Sequence, residues 1–256
     1  MRSNPAAENV LGTIGTICWT IQILPQIWKS WREKATEGLS PWLMFLWGVA
    51  AVFLAVYNVT QDLNVPLIVQ PQIFGTLAFV SWSQCIYYDM RKPLRYALAC
   101  LALSLAIFAG FEAGMVFAVK SAVNKGNHAP VTFFGVATSV VLSAGLLPQY
   151  LEIYRLGEVK GISIPFMTVD LLGGVFSALS LVFKSKFDVL AGVAYSLVVV
   201  LDAVVVLLAL ILNPIARRRR ARLENTTSNG ESRFITHMET GPPQQVPEAV
   251  RETPIP

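Results

Sequence analysis

An apolar stretch long enough to cross a bilayer constrains a chain more than any other feature. Hydrocarbon offers no hydrogen bonds, so a single spanning segment has to close its backbone bonds internally, as a helix. This sequence has seven such stretches: residues 9–29, 41–60, 65–88, 94–119, 130–153, 164–183 and 187–213. Gln61-Asp62-Leu63-Asn64 is the only polar break between the second and third. A single helix over 41–88 would be about twice the ~30 Å core, so two helices and a tight loop are expected. Hydrophobic residues make up 54% of the 256 and charged residues only 14%, more apolar surface than a soluble core of this size buries. The expected class is an all-α integral membrane protein of seven transmembrane helices.

Several chemistries are absent from the pattern. Cys18, Cys85 and Cys100 lie in or beside apolar spans with no loop pair, which argues against a disulfide framework. His128 and His237 are isolated, so no metal site is expected. No nucleotide-binding or nucleophile motif occurs, and neither an enzyme nor a cofactor is expected. The first nine residues lack the form of a cleavable signal, so the first span is expected to remain. Asn58-Val59-Thr60 and Asn225-Thr226-Thr227 match the glycosylation pattern, but one abuts a span and the other falls in the tail, so neither is expected to be used.

Charge gives the orientation. With seven spans, the loops after spans one, three and five share a side with the C-terminus. Thirteen Lys and Arg residues lie there, including Lys29, Arg32, Arg91, Lys92, Arg155 and the run Arg217–Arg220, against five on the other side. By the positive-inside rule the N-terminus is lumenal or extracellular and the C-terminus cytosolic. The net charge of +4 then reports topology and contact with anionic lipid, and calls for no nucleic acid. The expected partners are the bilayer, a small-molecule substrate, protons and a cytosolic partner of the tail.

The chain also repeats itself. Shifted by 123 residues, Leu24-Pro25-Gln26 falls on Leu147-Pro148-Gln149, Arg32 on Arg155, Gly38 on Gly161, Ser40 on Ser163, Met44 on Met167 and Val52-Phe53 on Val175-Phe176. Positions 24–55 contain ten identities without a gap. Looking for such self-similarity first is what decides the fold. Spans one to three match spans five to seven, with span four as the linker, so both repeats enter the membrane from the same side. The expected architecture is two parallel three-helix bundles joined by a linker helix (3+1+3), with a substrate site between them near mid-membrane. In residue terms, 1–8 is a short N-terminal segment, 9–89 the first repeat, 90–120 the linker helix, 130–213 the second repeat and 214–256 a basic, then Pro-rich tail expected to be disordered.

Each repeat places Pro-Gln just before the cytosolic end of its first helix. Proline removes a backbone donor and clashes with the preceding turn, so Pro25 and Pro148 are expected to bend the helix. Gln26 and Gln149 can satisfy the freed carbonyls or bridge to a neighbouring helix. Pro41 and Pro165 open the second helix of each repeat, where proline is tolerated. These six residues form the expected cytosolic hinge or gate.

On these residues the chain resembles the PQ-loop family, whose relatives include lysosomal and vacuolar cationic amino acid transporters, cystinosin and, more distantly, SWEETs. The resemblance covers roughly residues 9–213. It runs through Cys18-Trp19, Leu24-Pro25-Gln26-Ile27, Glu37-Gly38-Leu39-Ser40, Leu46-Trp47 and Gln84-Cys85, and then through Leu147-Pro148-Gln149, Lys160-Gly161-Ile162-Ser163 and Asp202. The cationic amino acid branch usually carries an Asp after the Leu-Trp pair. Here that stretch reads Gly48-Val49-Ala50-Ala51-Val52, and the acidic residue appears in the second repeat as Asp170. The resemblance implies transport of an amino acid at a vacuolar or lysosomal membrane, and carboxylates buried in the bilayer add the expectation of proton coupling.

A carboxylate at mid-helix costs about 2.5–3.5 kcal/mol to insert, so it marks a partner or a watery cavity. Asp202 in span seven is the leading proton or substrate-amine site, followed by Asp170 in span six and Glu112 in the linker. At comparable depth Gln72, its repeat counterpart Tyr195, and Asn58 are expected to orient the substrate, and Gln72 to mark a second gate. Trp47 aligns with Asp170 across the repeats and is expected to line the same cavity, whereas the other tryptophans suit an interfacial belt. The alternative reading is a non-transporting scaffold or seven-helix receptor acting through its tail; the internal repeat with its paired hinge motifs disfavours the receptor and leaves the scaffold open.

Overall fold

Polar residues before each apolar run decide where the helices begin. The computed structural model describes residues 4–36, 39–159 and 164–240, with only the backbone described at residue 152 and over 223–240. Seven helices follow in order: α1 (Pro5–Glu33), α2 (Pro41–Thr60), α3 (Val65–Tyr88), α4 (Leu94–Asn124), α5 (Ala129–Leu156), α6 (Ile164–Val182) and α7 (Val189–Thr240). The side chains of Asn4, Ser40 and Asn64 accept from the backbone N–H three residues on, each with proline in the first turn, a pairing that satisfies orphan donors where proline has none to lose. The Gln61–Asn64 break is a tight turn with Asp62 at φ 45°, a left-handed position that Asp tolerates better than most residues.

All seven helices are long and apolar enough to cross a membrane. The exterior is apolar and the largely apolar core holds a set of polar groups: Gln22, Asn58, Gln70, Asp170, Ser177 and Asp202 are buried, while Phe117, Val140, Leu103 and Val200 face outward. In water such a surface would drive aggregation, and in lipid it is the solvated face.

Within unit one, which ends at Asn213, α3 packs against both α1 and α2, α1 packs on α6, and α2 packs on α5. Under the 123-residue shift α1 corresponds to α5 and α2 to α6. The α1/α6 and α2/α5 contacts are therefore one contact made twice with the repeats exchanged. Small residues permit the approach: a Cβ on Gly15 of α1 would lie 2.4 Å from Ser177 Oγ and 3.0 Å from the Gly173 carbonyl of α6. α7 completes the second half through Tyr150 Oη, which donates to the Leu201 carbonyl at 2.6 Å, and through Gly174, whose Cβ would meet Val199. Helix α4 packs on α2 and α3 and buries only Ala97 and Val119, leaving it at the periphery.

The second unit starts at Pro214. Where the composition suggested disorder from 214, the described residues to Thr240 are helical. The Arg-Ala-Leu-Glu run has high intrinsic helix propensity, and proline content, which drove the expectation, is concentrated beyond residue 241. Residues 241–256, Glu37-Gly38 and Lys160-Gly161-Ile162-Ser163 lie outside the described residues.

Candidate functional site

A small enclosed cavity lies at the centre of the first unit, lined by Trp19, Trp47, Phe74, Leu142, Leu146, Asp170, Leu197, Val198, Leu201 and Asp202. Six helices contribute: α1, α2 and α3 from the first half of the chain and α5, α6 and α7 from the second. The 123-residue shift maps Trp19 to Leu142, Trp47 to Asp170 and Phe74 to Leu197. The cavity is thus built on equivalent positions of the two halves. About 20 Å³ is open to a water centre, enough for roughly one water, so a larger solute fits only after the helices move apart.

One wall is aromatic. Trp19 and Trp47 flank Phe74 with ring centroids 5.3 and 5.8 Å away, and Trp47 stacks on Phe166 at 6.1 Å with 6° between the planes. Each indole from the first repeat is seated on a glycine of the second: a Cβ on Gly173 would lie 2.0 Å from Trp19, and one on Gly145 2.8 Å from Trp47. Trp19 Nε1 donates to the Asp170 backbone carbonyl at 3.1 Å.

The cavity is also acidic. Asp170 is 3% exposed and Asp202 fully buried, and both line the same cavity. Asp170 Oδ1 accepts from Gln22 Nε2 at 2.9 Å. Among the described residues neither Asp202 oxygen, nor Gln22 Oε1, nor Trp47 Nε1 has a hydrogen-bond partner. Two ionised carboxylates are both acceptors and cannot bond to each other.

Closer to the end where α2 stops and α7 starts, a chain of buried polar groups links the repeats. Gln70 Nε2 donates to Ser177 Oγ at 2.9 Å, Tyr195 Oη donates to Gln70 Oε1 at 3.3 Å, and Asn58 Nδ2 donates to Tyr195 Oη at 3.3 Å and to the Leu67 carbonyl at 2.6 Å. Beyond it Tyr57 Oη donates to Asp188 Oδ1 at 2.6 Å, and Lys184 Nζ to the Gln61 carbonyl at 3.3 Å. This end is tied shut by hydrogen bonds between the halves.

Of the residues singled out from sequence, Asp202, Asp170 and Trp47 meet at the cavity, and Tyr195 and Asn58 meet each other in the polar chain. Gln72 and Glu112 do not join them: Gln72 Nε2 donates to Glu112 Oε1 on the exposed side where α3 meets α4. Depth placed Gln72 correctly along the helix, but rotation turns it outward, two residues past the inward-facing Gln70. Pro25 and Pro148 lie inside continuous helices α1 and α5. Gln26 Nε2 donates to Ser30 Oγ at 3.3 Å, and Gln149 is buried. Pro41 and Pro165 occupy the first turns of α2 and α6.

Sequence reasoning missed Trp19, Gln22, Phe74, Gln70 and Ser177. Trp19 belongs to the cavity and not to an interfacial belt, being 3% exposed, in contrast to Trp28 at 61% and Trp42 at 67%. A signal was available, since Trp19, Gln22 and Gln26 recur at helical spacing on one face, and Gln22 and Gln70 are amides deep in apolar spans.

Comparison with known proteins agrees with this duplication. The PQ loop repeat family matches twice, over residues 7–67 and 131–190. An uncharacterised protein of Schizosaccharomyces pombe is 40% identical over 216 residues, covering 84% of this chain and 76% of the relative. The vacuolar histidine transporter of Saccharomyces cerevisiae is 29% identical over 34% of this chain and 30% of its own length. The vacuolar lysine transporter of the same yeast is 30% identical over 33% of this chain and 28% of its own. A eukaryotic SWEET transporter shares the fold, with a TM-score of 0.61 and 17% identity over 82% of this chain and 98% of that one. Two family matches at repeat-equivalent positions, a relative 40% identical over most of the chain and a seven-helix fold neighbour lead to one conclusion: this chain is a multi-pass membrane protein that belongs to the PQ-loop repeat family.

Proposed function

We propose that this protein is a transporter that carries a small polar solute bearing a positively charged nitrogen across a vacuolar or lysosomal membrane, in exchange for protons and by alternating access. The observation that carries the reading is the cavity built on equivalent positions of the two repeats, with two carboxyls and no cation on its walls. In this reading the repeats form two three-helix bundles that rock about the cavity, with bends at Pro25 and Pro148 opening the cytosolic side. The Asn58–Tyr195–Gln70–Ser177 chain closes the lumenal side until its hydrogen bonds part.

Two carboxylates held together out of water repel, and a shared proton or a bound cation removes that repulsion. A cation and a proton then compete for one place, which is the condition for exchange. Loading protons from an acidic lumen would drive solute in the opposite direction to the proton. Relatives that carry lysine and histidine in the yeast vacuole support a nitrogenous cation as the solute class.

The test is uptake by purified protein in proteoliposomes, with radiolabelled lysine, histidine and their amines offered with and without a pH gradient. Gradient-dependent uptake that disappears on adding a protonophore supports the proposal. No movement of any of these solutes by protein shown to be folded would count against it, and would favour a scaffold acting through its tail.

A further inference from the structure

The hydrogen-bond inventory around the cavity restricts what can sit in it. Three acceptors lack a donor: both oxygens of Asp202, which lines the cavity, and Oε1 of Gln22, the residue behind Asp170 that donates to its carboxyl. Of the donors nearby, Gln22 Nε2 is taken by Asp170 Oδ1, Trp19 Nε1 by the Asp170 carbonyl and Tyr150 Oη by the Leu201 carbonyl. Trp47 Nε1 alone remains. An ammonium group has three donors and no acceptor, which is the complement of this set.

A carboxylate finds the reverse. The described residues lining the cavity include no Lys, Arg or His, and none occurs in residues 9–28, 41–88, 130–154, 164–183 or 189–216. A solute carboxylate would bring a third negative group against Asp170 and Asp202 with one indole N–H to receive it. Burying a charge without a partner is costly. The remaining wall, the faces of Trp19, Trp47 and Phe74, suits a cation and apolar chain together.

We infer that the cavity between the repeats takes an organic ammonium cation that carries no carboxylate, an amine in preference to the corresponding amino acid. This rests on the transporter reading above and narrows its solute. Once the helices part to admit it, the amine's nitrogen lies against Asp202 and Asp170, and its carbon skeleton lies along the indole wall.

The experiment compares matched pairs on the purified full-length protein: lysine against 1,5-diaminopentane, and histidine against histamine, by calorimetry and by competition for uptake. Each pair differs by the carboxylate alone. The expected result is that each amine binds more tightly by roughly tenfold or more, about 1.4 kcal/mol. Equal or tighter binding of lysine and histidine would overturn this inference while leaving the transporter reading in place. Binding of neither member of either pair, to protein that still unfolds cooperatively, would overturn both.

Discussion

The two repeats occupy equivalent positions around the cavity and bring different chemistry to it. The first contributes Trp19, Trp47 and Phe74, and the second contributes Leu142, Asp170 and Leu197 at the matching places. The same holds one turn further on, where Phe79 of α3 packs against Phe108 of α4 at 5.0 Å and its counterpart Asp202 enters the cavity. Duplication supplies the geometry, because the same helix contacts are made twice. Divergence supplies the chemical contrast, because a symmetric cavity of rings alone would have no charge and one of carboxyls alone no apolar wall. The aromatic half depends on the other repeat for its seating, since both indoles rest on glycines of α5 and α6.

Removing the charge from one side should have the largest effect. Asp202→Asn is expected to weaken cation binding by about 10–100-fold, the worth of a hydrogen bond to a charged group at ~1.5–3 kcal/mol. Its repeat counterpart, Phe79→Leu, should leave affinity unchanged. Titration of both variants by calorimetry reads the difference, and equal losses would end the claim that the halves differ in role.

The seats of the two indoles come next. Gly173→Ala should destabilise by about 1–3 kcal/mol through overpacking, because the new methyl would overlap Trp19, and thermal unfolding in detergent would show it. Gly145→Ala should cost less, the approach to Trp47 being 2.8 Å against 2.0 Å. The reverse order would mean that Trp19 is free to swing away.

Trp47→Leu removes a ring and leaves the carboxyls. A loss of about 0.5–2 kcal/mol in cation binding is expected, with Trp47→Phe recovering part of it. The smallest effect should come from Gln72→Leu: uptake should remain at the wild-type level, because Gln72 bonds to Glu112 outside the cavity. A severe loss there would return Gln72 to the solute path.

Much of this architecture was legible before any coordinates. Spans, the tight Gln61–Asn64 turn and the 123-residue repeat follow from hydropathy and self-comparison, which report on axial position and order. Asp170, Asp202 and Trp47 could be paired because the repeat shift places Trp47 on Asp170 and hydropathy places all three deep. Helix rotation was not legible. Gln70 and Gln72 lie within one turn of α3, and only packing against α6 and α7 shows that Gln70 turns inward and Gln72 outward. Trp19 was misread for a related reason: a tryptophan near a span end suits an interface by composition, and the glycine at 173 that receives it is 154 residues away in the chain. Over 214–240 the chain is helical where disorder is expected, while the Pro-rich segment after it lies outside the described residues.

The central claim is that a cation displaces a proton from the carboxyl pair between the repeats. Proton release into weakly buffered solution, on adding saturating 1,5-diaminopentane or lysine to purified protein, tests it most directly. The account predicts release from the wild type and none from Asp202→Asn. Solute binding with no proton released, or the same release from the variant, would contradict it.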